Sequence, residues 1–170
     1  MAEMLSLNQR DFDQDPNIGW RQLYQQPGCR TAAANLIRAY INANGEEGIM
    51  MTFHEGQMRA MGGDTQPAIA LLERTYTPAN KPDRYGWNYY VDATIAFLRR
   101  DKARLRNARA QLTAVPRPEN FDPVDSFGKP IEIRWPPNLN VVDGLLKCFE
   151  HSYDYAVHNC SSSFKEKKAD

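Results

Sequence analysis

Cysteine is scarce in this sequence of 170 residues, and the positions of the cysteines fit none of the usual cysteine-based classes. Cys29, Cys148 and Cys160 form no CxxC pair and no framework typical of disulfide-rich domains. The spacing therefore predicts neither a disulfide scaffold nor a cysteine zinc site. Histidine is equally scarce, with three residues. We expect a reduced, cytoplasmic protein that needs no cofactor and no metal.

Long apolar runs and a net charge are also missing. No run approaches the roughly 18 apolar residues of a membrane span. The 21 basic residues equal the 21 acidic ones, so no overall field attracts nucleic acid or an anionic membrane. The first residues, MAEMLSLNQRDFDQD, show no basic-then-apolar leader pattern. We therefore expect neither nucleic acid nor membrane as a partner.

Helical periodicity is present along most of the chain. Apolar residues recur every three or four positions, and Gly or Pro separates the periodic segments. The predicted helices cover about 17–25, 29–44, 48–61, 64–76, 84–100, 101–115 and 139–158. The core-facing residues expected in the second and third of these are Ala33, Leu36, Ile37, Tyr40 and Ile41, then Met50, Phe53, Met58 and Met61. Short connections predict antiparallel neighbours.

A proline-rich stretch separates the last predicted helix from the others. Six prolines between Pro116 and Asn138 exclude a long helix there. Within it, IEIRW at 131–135 alternates apolar and polar residues and could be extended. The polar tail 161–170 is expected to be disordered. The prediction is one all-α domain over residues 1–160, with about seven helices and a Pro-rich loop before the last.

An internal repeat is visible around two Asp residues. When Asp64 is placed over Asp101, Gly56 meets Ala93 and the apolar positions of both segments coincide. A shift back by one unit places Gly28 over Gly63. The period is close to the ~34 residues of a tetratricopeptide repeat. Residues 17–116 thus resemble degenerate tetratricopeptide repeats, with small residues in the first helix and a Gly-Asp turn.

The resemblance implies a concave groove lined by the first helix of each pair. The residues that it places on or near this groove are Phe53, Gln57, Trp87, Tyr90, Thr94 and Phe97. They are not the Lys, Asn and Arg of the subgroup that clamps acidic tails. An apolar or aromatic peptide, or the protein's own loop, is the expected occupant. Leu105 and Arg109 depart from the family pattern, which expects Ala and a large apolar residue there.

Three other sequence patterns are candidates for binding sites. The segment HEGQMRAMGGD at 54–64 carries neither GxxxxGK[ST] nor HExxH, so Gly62-Gly63-Asp64 is interpreted as the end of one helix and the cap of the next. Cys148, His151, Tyr155 and His158 share one face of the predicted last helix, but its two His lie about 10 Å apart along the axis, too far for one ion. The basic stretch 99–109 is interpreted as a solvated helix face.

The leading functional hypothesis is a non-catalytic protein- or peptide-binding module, a scaffold or adaptor. This hypothesis depends on the resemblance to tetratricopeptide repeats and is therefore an analogy based on fold. One alternative is a self-associating structural subunit, with a second copy of the chain as partner. The other is a small helical enzyme or metal-binding protein that uses His54-Glu55 or the Cys148–His158 face.

Overall fold

The computed structural model describes residues 2–45 and 47–161, and the regular secondary structure of those residues is all helical. No strand occurs in the described ranges, so the all-α prediction is confirmed. Two compact units are present. Unit 1 comprises the residues up to Asp83 together with Glu119–Glu132, and unit 2 comprises Arg84–Pro118 and the residues from Ile133 onward. One domain over 1–160 stays a prediction, and all but the first residue of the predicted tail lies outside the described residues.

The helices of unit 1 are α1 Ala2–Leu5, α2 Gln9–Gln14, α3 Gly19–Tyr24, α4 Arg30–Asn44, α5 Ile49–Met61 and α6 Thr65–Glu73. Those of unit 2 are α7 Trp87–Leu98, α8 Lys102–Thr113, α9 Leu139–Lys147 and α10 Tyr153–Tyr155, followed by a π-helical segment Ala156–Cys160. Helices α1 and α2 were not predicted. The N-cap of α2 is Asn8, whose side chain accepts a hydrogen bond from the Asp11 N–H at 2.9 Å.

The core of unit 1 is built on α4. All five residues of its predicted apolar stripe are buried. Phe12 of α2 stacks on Tyr40 with ring centroids 3.8 Å apart, and the Tyr40 hydroxyl donates to the Leu7 carbonyl. Helix α4 ends as predicted at Gly45, which has φ +69° and donates its N–H to Ile41. Each fully buried large side chain contributes roughly 1.5–3 kcal/mol.

Helix α5 is buried on more than one side because it contacts both α4 and α6. Met51, not Met50, takes the core position, and Met50 is 46% exposed, so the inward prediction for Met50 was wrong. On the other side Gly56 faces α6, where a Cβ would lie 3.1 Å from Leu72 Cγ. Helices α5 and α6 therefore approach closely at Gly56, which explains the small residue at this position.

In unit 2, α7 packs on α8, and both contact α9. Asp101 caps α8 by accepting from the Arg104 N–H at 2.9 Å. The predicted cap Asp64 stands at the N-cap position of α6 in unit 1, but its side chain makes no capping hydrogen bond. The proline-rich stretch contains no helix. The alternating segment 131–135 forms no strand, and the described part of the loop has instead one isolated antiparallel bridge, between Val124 and Pro130.

The last predicted helix, about 139–158, is interrupted. Helix α9 ends at Lys147, and the backbone of Cys148 leaves the helical region with φ −113° and ψ 39°. Ser152 then caps α10 by accepting from the Tyr155 N–H. The chain reverses here, since the Cα atoms of Cys148 and Cys160 lie 6.2 Å apart, whereas twelve residues of straight helix would span about 18 Å. Phe149 and Tyr153 both pack on Phe97.

Candidate functional site

The six predicted groove residues are placed differently from the expectation. Phe53, Tyr90, Thr94 and Phe97 are all buried, while Gln57 and Trp87 are half-buried. Phe53 and Gln57 belong to unit 1 and the other four to unit 2. In unit 2, Trp87 and Tyr90 make an edge contact with ring centroids 5.9 Å apart. The groove role of these residues stays a prediction, and it requires the four buried side chains to become uncovered.

His54 lies in a buried polar cluster. Its Nδ1 lies 2.7 Å from Oδ1 of Asp13, which also accepts a hydrogen bond from Trp20 Nε1 at 2.8 Å. The Gln14 side chain donates to the other Asp13 oxygen, and the Arg21 guanidinium donates to the Asp13 carbonyl. Burial alone raises the pKa of the Asp13 carboxyl, but the His54 and Trp20 contacts outweigh it and lower the pKa overall.

Glu55 is the most buried charged side chain of unit 1, at 1% exposure. Arg59 lies one turn later, where its Nε donates to Glu55 Oε1 at 3.0 Å and its Nη2 lies 2.9 Å from the same oxygen. Glu55 Oε2 lies 2.6 Å from Arg38 Nη2, so the two groups form an ion pair. Glu55 is thus a carboxylate held between two arginines.

The ion-pair network continues to the surface through Glu47. Its Oε1 lies 2.6 Å from Arg74 and 3.4 Å from Arg38. The hydrogen bonds from Arg74 and Arg38 lower the pKa of this exposed carboxyl. Burial opposes the charge on Arg38, but its bonds to Glu55 and Glu47 raise the pKa overall. Carboxylates and arginines therefore alternate across α4, α5 and the end of α6, and their charges compensate one another.

These two clusters have the chemistry of structural networks. An Asp-His pair can orient an imidazole for catalysis or for metal binding. Within 2–45 and 47–161, no group of three or more His, Cys, Asp or Glu is arranged to hold a metal. The buried carboxylate Glu55 is satisfied by arginines. His54-Glu55 therefore contributes to joining α2, α4 and α5.

The predicted face of potential metal ligands from Cys148 to His158 does not form. Cys148 is bonded to Cys160 in a disulfide, so the prediction of no disulfide was wrong. His151 stacks on Tyr155 with ring centroids 4.3 Å apart, and His158 lies 3.3 Å from Asp154. The prediction failed because the chain reverses between the two cysteines. Cys29, at the N-cap of α4, is a free thiol.

The basic stretch 99–109 is paired with carboxylates. Arg104 lies 2.6 Å from Asp92, and Arg109 lies 2.6 Å from Asp143. Lys102 lies 3.8 Å from Glu150. Neighbouring opposite charges weaken the field that would attract phosphates. This pairing agrees with the interpretation as a solvated helix face, and the absence of a nucleic-acid partner stays a prediction.

An exposed apolar loop in unit 1 was missed. Residues 123–131, here called the Phe127 hairpin, form a turn in which Asp125 Oδ1 accepts from the N–H groups of Phe127 and Lys129, both at 2.9 Å. The Gly128 N–H donates to the Asp125 carbonyl at 3.0 Å. Val124, Phe127 and Ile131 are 56%, 52% and 37% exposed. The signal was DSFG, since Asp first and Gly fourth are typical of a type I turn.

The chain matches no protein-family model, and no curated protein and no solved structure is significantly similar to it. In the described residues, no helix has both the length and the apolar character needed to cross a membrane.

Proposed function

We propose that the chain is a non-catalytic module that binds a protein or peptide, in the role of a scaffold or adaptor. The observation that supports it best is the Phe127 hairpin, an ordered loop with an aromatic ring at its tip. Three large apolar side chains within eight residues are more than scattered exposure. Such clusters in folded domains commonly mark interaction surfaces.

The internal bonding of this hairpin favours recognition. Asp125 fixes the turn from inside, and the Ile131 N–H donates to the Pro123 carbonyl at 3.0 Å. A partner that binds a pre-formed loop does not have to order it, so less of the interaction free energy is lost. The Phe127 ring offers a large apolar area with few rotatable bonds, which suits insertion into a partner's pocket.

Two polar residues of α2, Gln9 and Arg10, lie between the hairpin and a second exposed apolar segment of unit 1. The Arg10 guanidinium carbon lies 5.1 Å from the Phe127 ring centroid and thereby holds the ring at the start of α2. The neighbouring Gln9 amide lies 4.0 Å from where a Cβ of Gly48 would be. Ile49 and Met50, which follow directly, are 45% and 46% exposed. The first turn of α2 thus joins two exposed apolar segments of unit 1.

The helical scaffold is proposed to be of tetratricopeptide type. Three turns support this proposal. The residue just before the N-cap of α4, of α6 and of α8 has positive φ in each case, at Gly28, Gly63 and Arg100. The close approach of α5 to α6 at Gly56 is a second support.

Binding can be tested with two matched surface variants. Phe127→Ser removes the exposed ring of the hairpin, and Tyr85→Ser removes an equally exposed ring, 51%, in unit 2. Partners are captured by chemical crosslinking and identified by mass spectrometry, with light scattering on the purified protein. We expect a partner that is retained by Tyr85→Ser and lost by Phe127→Ser, while both variants keep the helical content of the wild type.

Three results would contradict the proposal. Equal capture by the wild type and Phe127→Ser would show that the hairpin is not part of the contact surface. A doubled mass in light scattering that Phe127→Ser abolishes, with no other protein captured, would instead favour the self-associating subunit. A crosslinked partner lost by Tyr85→Ser alone would place binding on unit 2.

A further inference from the structure

The Cys148–Cys160 disulfide closes a loop at the end of unit 2. Cys148 follows the last residue of α9, and Cys160 is the last residue of the π-helical segment. Their Cα atoms lie 6.2 Å apart, although twelve positions separate them in sequence. This distance is within the range that an unforced disulfide spans. The bond therefore connects the two ends of a chain reversal.

The closed loop supplies part of the core of unit 2. Phe149 and Tyr153 contact Phe97 edge-on, with ring centroids 5.7 and 5.9 Å away. Ala156, at the start of the π-helical segment, is fully buried. The Arg100 guanidinium donates to the Phe149 carbonyl. The position of this loop therefore decides whether the apolar surface of α7 is covered.

The docking of the segment depends on close contact with α9. A Cβ at Gly144 would lie 2.6 Å from the backbone nitrogen of Ser161, the residue after Cys160. Gly144 lies one turn before Cys148 on the same helix. The segment thus touches α9 at a glycine and is covalently joined to its end. Helices of π type are rare and occur mostly as single turns held by their surroundings, so this one is expected to need that support.

The disulfide is accessible to a reductant. Both cysteines are half-buried, and their neighbours Lys147, Glu150 and Asn159 are exposed. Reduction begins when a thiolate attacks one sulfur of the bond, so its rate depends on access. A core disulfide with no exposed neighbour would resist this attack. Here the bond is half-exposed, while the aromatic side chains that it holds in place are buried.

We propose that Cys148–Cys160 is a thiol-controlled latch on residues 149–161. A dithiol reductant attacks the bond and forms a mixed disulfide, which its second thiol then resolves. The reductant becomes a cyclic disulfide, and two electrons and two protons pass to Cys148 and Cys160. Reduction lets the segment leave α9 and uncovers Phe149 and Tyr153. The disulfide forms where thiols are oxidised, so the proposal departs from the sequence-based expectation of a reduced protein.

The test uses the full chain with dithiothreitol as the dithiol. Peptide mapping without reduction should find one peptide pair linked through Cys148 and Cys160, with Cys29 free to react with a thiol label. Hydrogen exchange should then show the amides of 149–161 exchanging on the order of 100-fold faster after reduction, because the loop-closure constraint is lost. The amides of α4, in unit 1, should be unchanged.

Variants separate the latch from general thiol effects. Cys148→Ser with Cys160→Ser should exchange fast without reductant and should not respond to it. Cys29→Ser should respond as the wild type does. If the double variant does not fold, reduction of the folded wild type still decides the matter. Separately labelled Cys148 and Cys160 in the oxidised protein, or equal exchange of 149–161 before and after reduction, would overturn the proposal.

Discussion

Gly63 and Arg100 occupy the same position in two helix-to-helix turns. Gly63 has φ +90° and Arg100 has φ +59°, and each directly precedes the N-cap of the next helix. The hydrogen bonds also coincide. The Asp64 N–H donates to Arg59 and the Asp101 N–H donates to Ala96, both at 2.9 Å across five residues. This is the Schellman pattern of a helix C-terminus, which favours Gly at the left-handed position.

Replacement of Gly63 by Ala should destabilise the protein by about 1 kcal/mol. No atom lies within 4 Å of the added Cβ, so the loss measures the backbone conformation alone. Gly63→Asn is the matched control, because Asn tolerates the left-handed region and should cost less. The free energy of unfolding by urea measures both. An Ala variant as stable as the wild type would show that the turn relaxes to another conformation.

The reverse substitution, which introduces a glycine, can be made at Arg100. It has the unfavourable backbone conformation of a non-glycine residue, and its side chain donates to the Phe149 carbonyl. Arg100→Ala and Arg100→Gly both lose that bond, but only the glycine variant relieves the backbone. We expect Arg100→Gly to be more stable than Arg100→Ala by about 1 kcal/mol in urea unfolding. Equal stabilities would mean that the backbone strain at this turn is negligible.

The local features of the fold could be predicted from the sequence. The stripe on α4 was predictable because its spacing of three and four residues needs no knowledge of neighbours. Gly45 as a helix end was predictable for the same reason. The turns at Gly63 and Arg100 could be aligned because an Asp residue follows each of them in the sequence.

The long-range features could not be predicted. The contact of Asp13 with His54 joins α2 to α5, and α2 was too short to be recognised from periodicity. The Cys148–Cys160 bond depends on a chain reversal that apolar spacing does not encode. Met50 and Met51 are equally apolar neighbours, so only packing decides that Met51 is buried. The burial of the expected groove residues could not be predicted from the sequence either, because aromatic side chains suit a core and a surface groove equally.

The α5–α6 contact predicts a strong effect of added volume at Gly56. A Cβ there meets Leu72 Cγ at 3.1 Å and the Ala68 carbonyl oxygen at 3.4 Å. Gly56→Val should therefore cost about 2 kcal/mol, despite the better helix propensity of Val. In a Leu72→Ala background the added cost of Gly56→Val should fall, because the clashing side chain is gone. A double-mutant cycle in urea measures the coupling, and additive effects would contradict the contact.

Acid should weaken the protein through Asp13. Burial raises the pKa of the carboxyl, but the His54 hydrogen bond, the charge of His54 and the Trp20 bond together hold it below its ordinary value of 3.8. The folded state therefore binds this proton less readily than the unfolded state. The stabilisation is complete above the ordinary pKa and is lost as the pH falls through the lower folded value.

Asp13→Asn should flatten this dependence, because the amide does not titrate. Wild type and variant are unfolded with urea at several values between about pH 5 and about pH 2, and the stability gap should narrow toward the acidic end. Asp122→Asn, at an exposed position, is the control and should follow the wild-type curve at every pH. A gap between wild type and Asp13→Asn that stays constant would mean that Asp13 is protonated alike in the folded and unfolded chains, and the His54–Asp13 contact would then carry no charge-dependent stability.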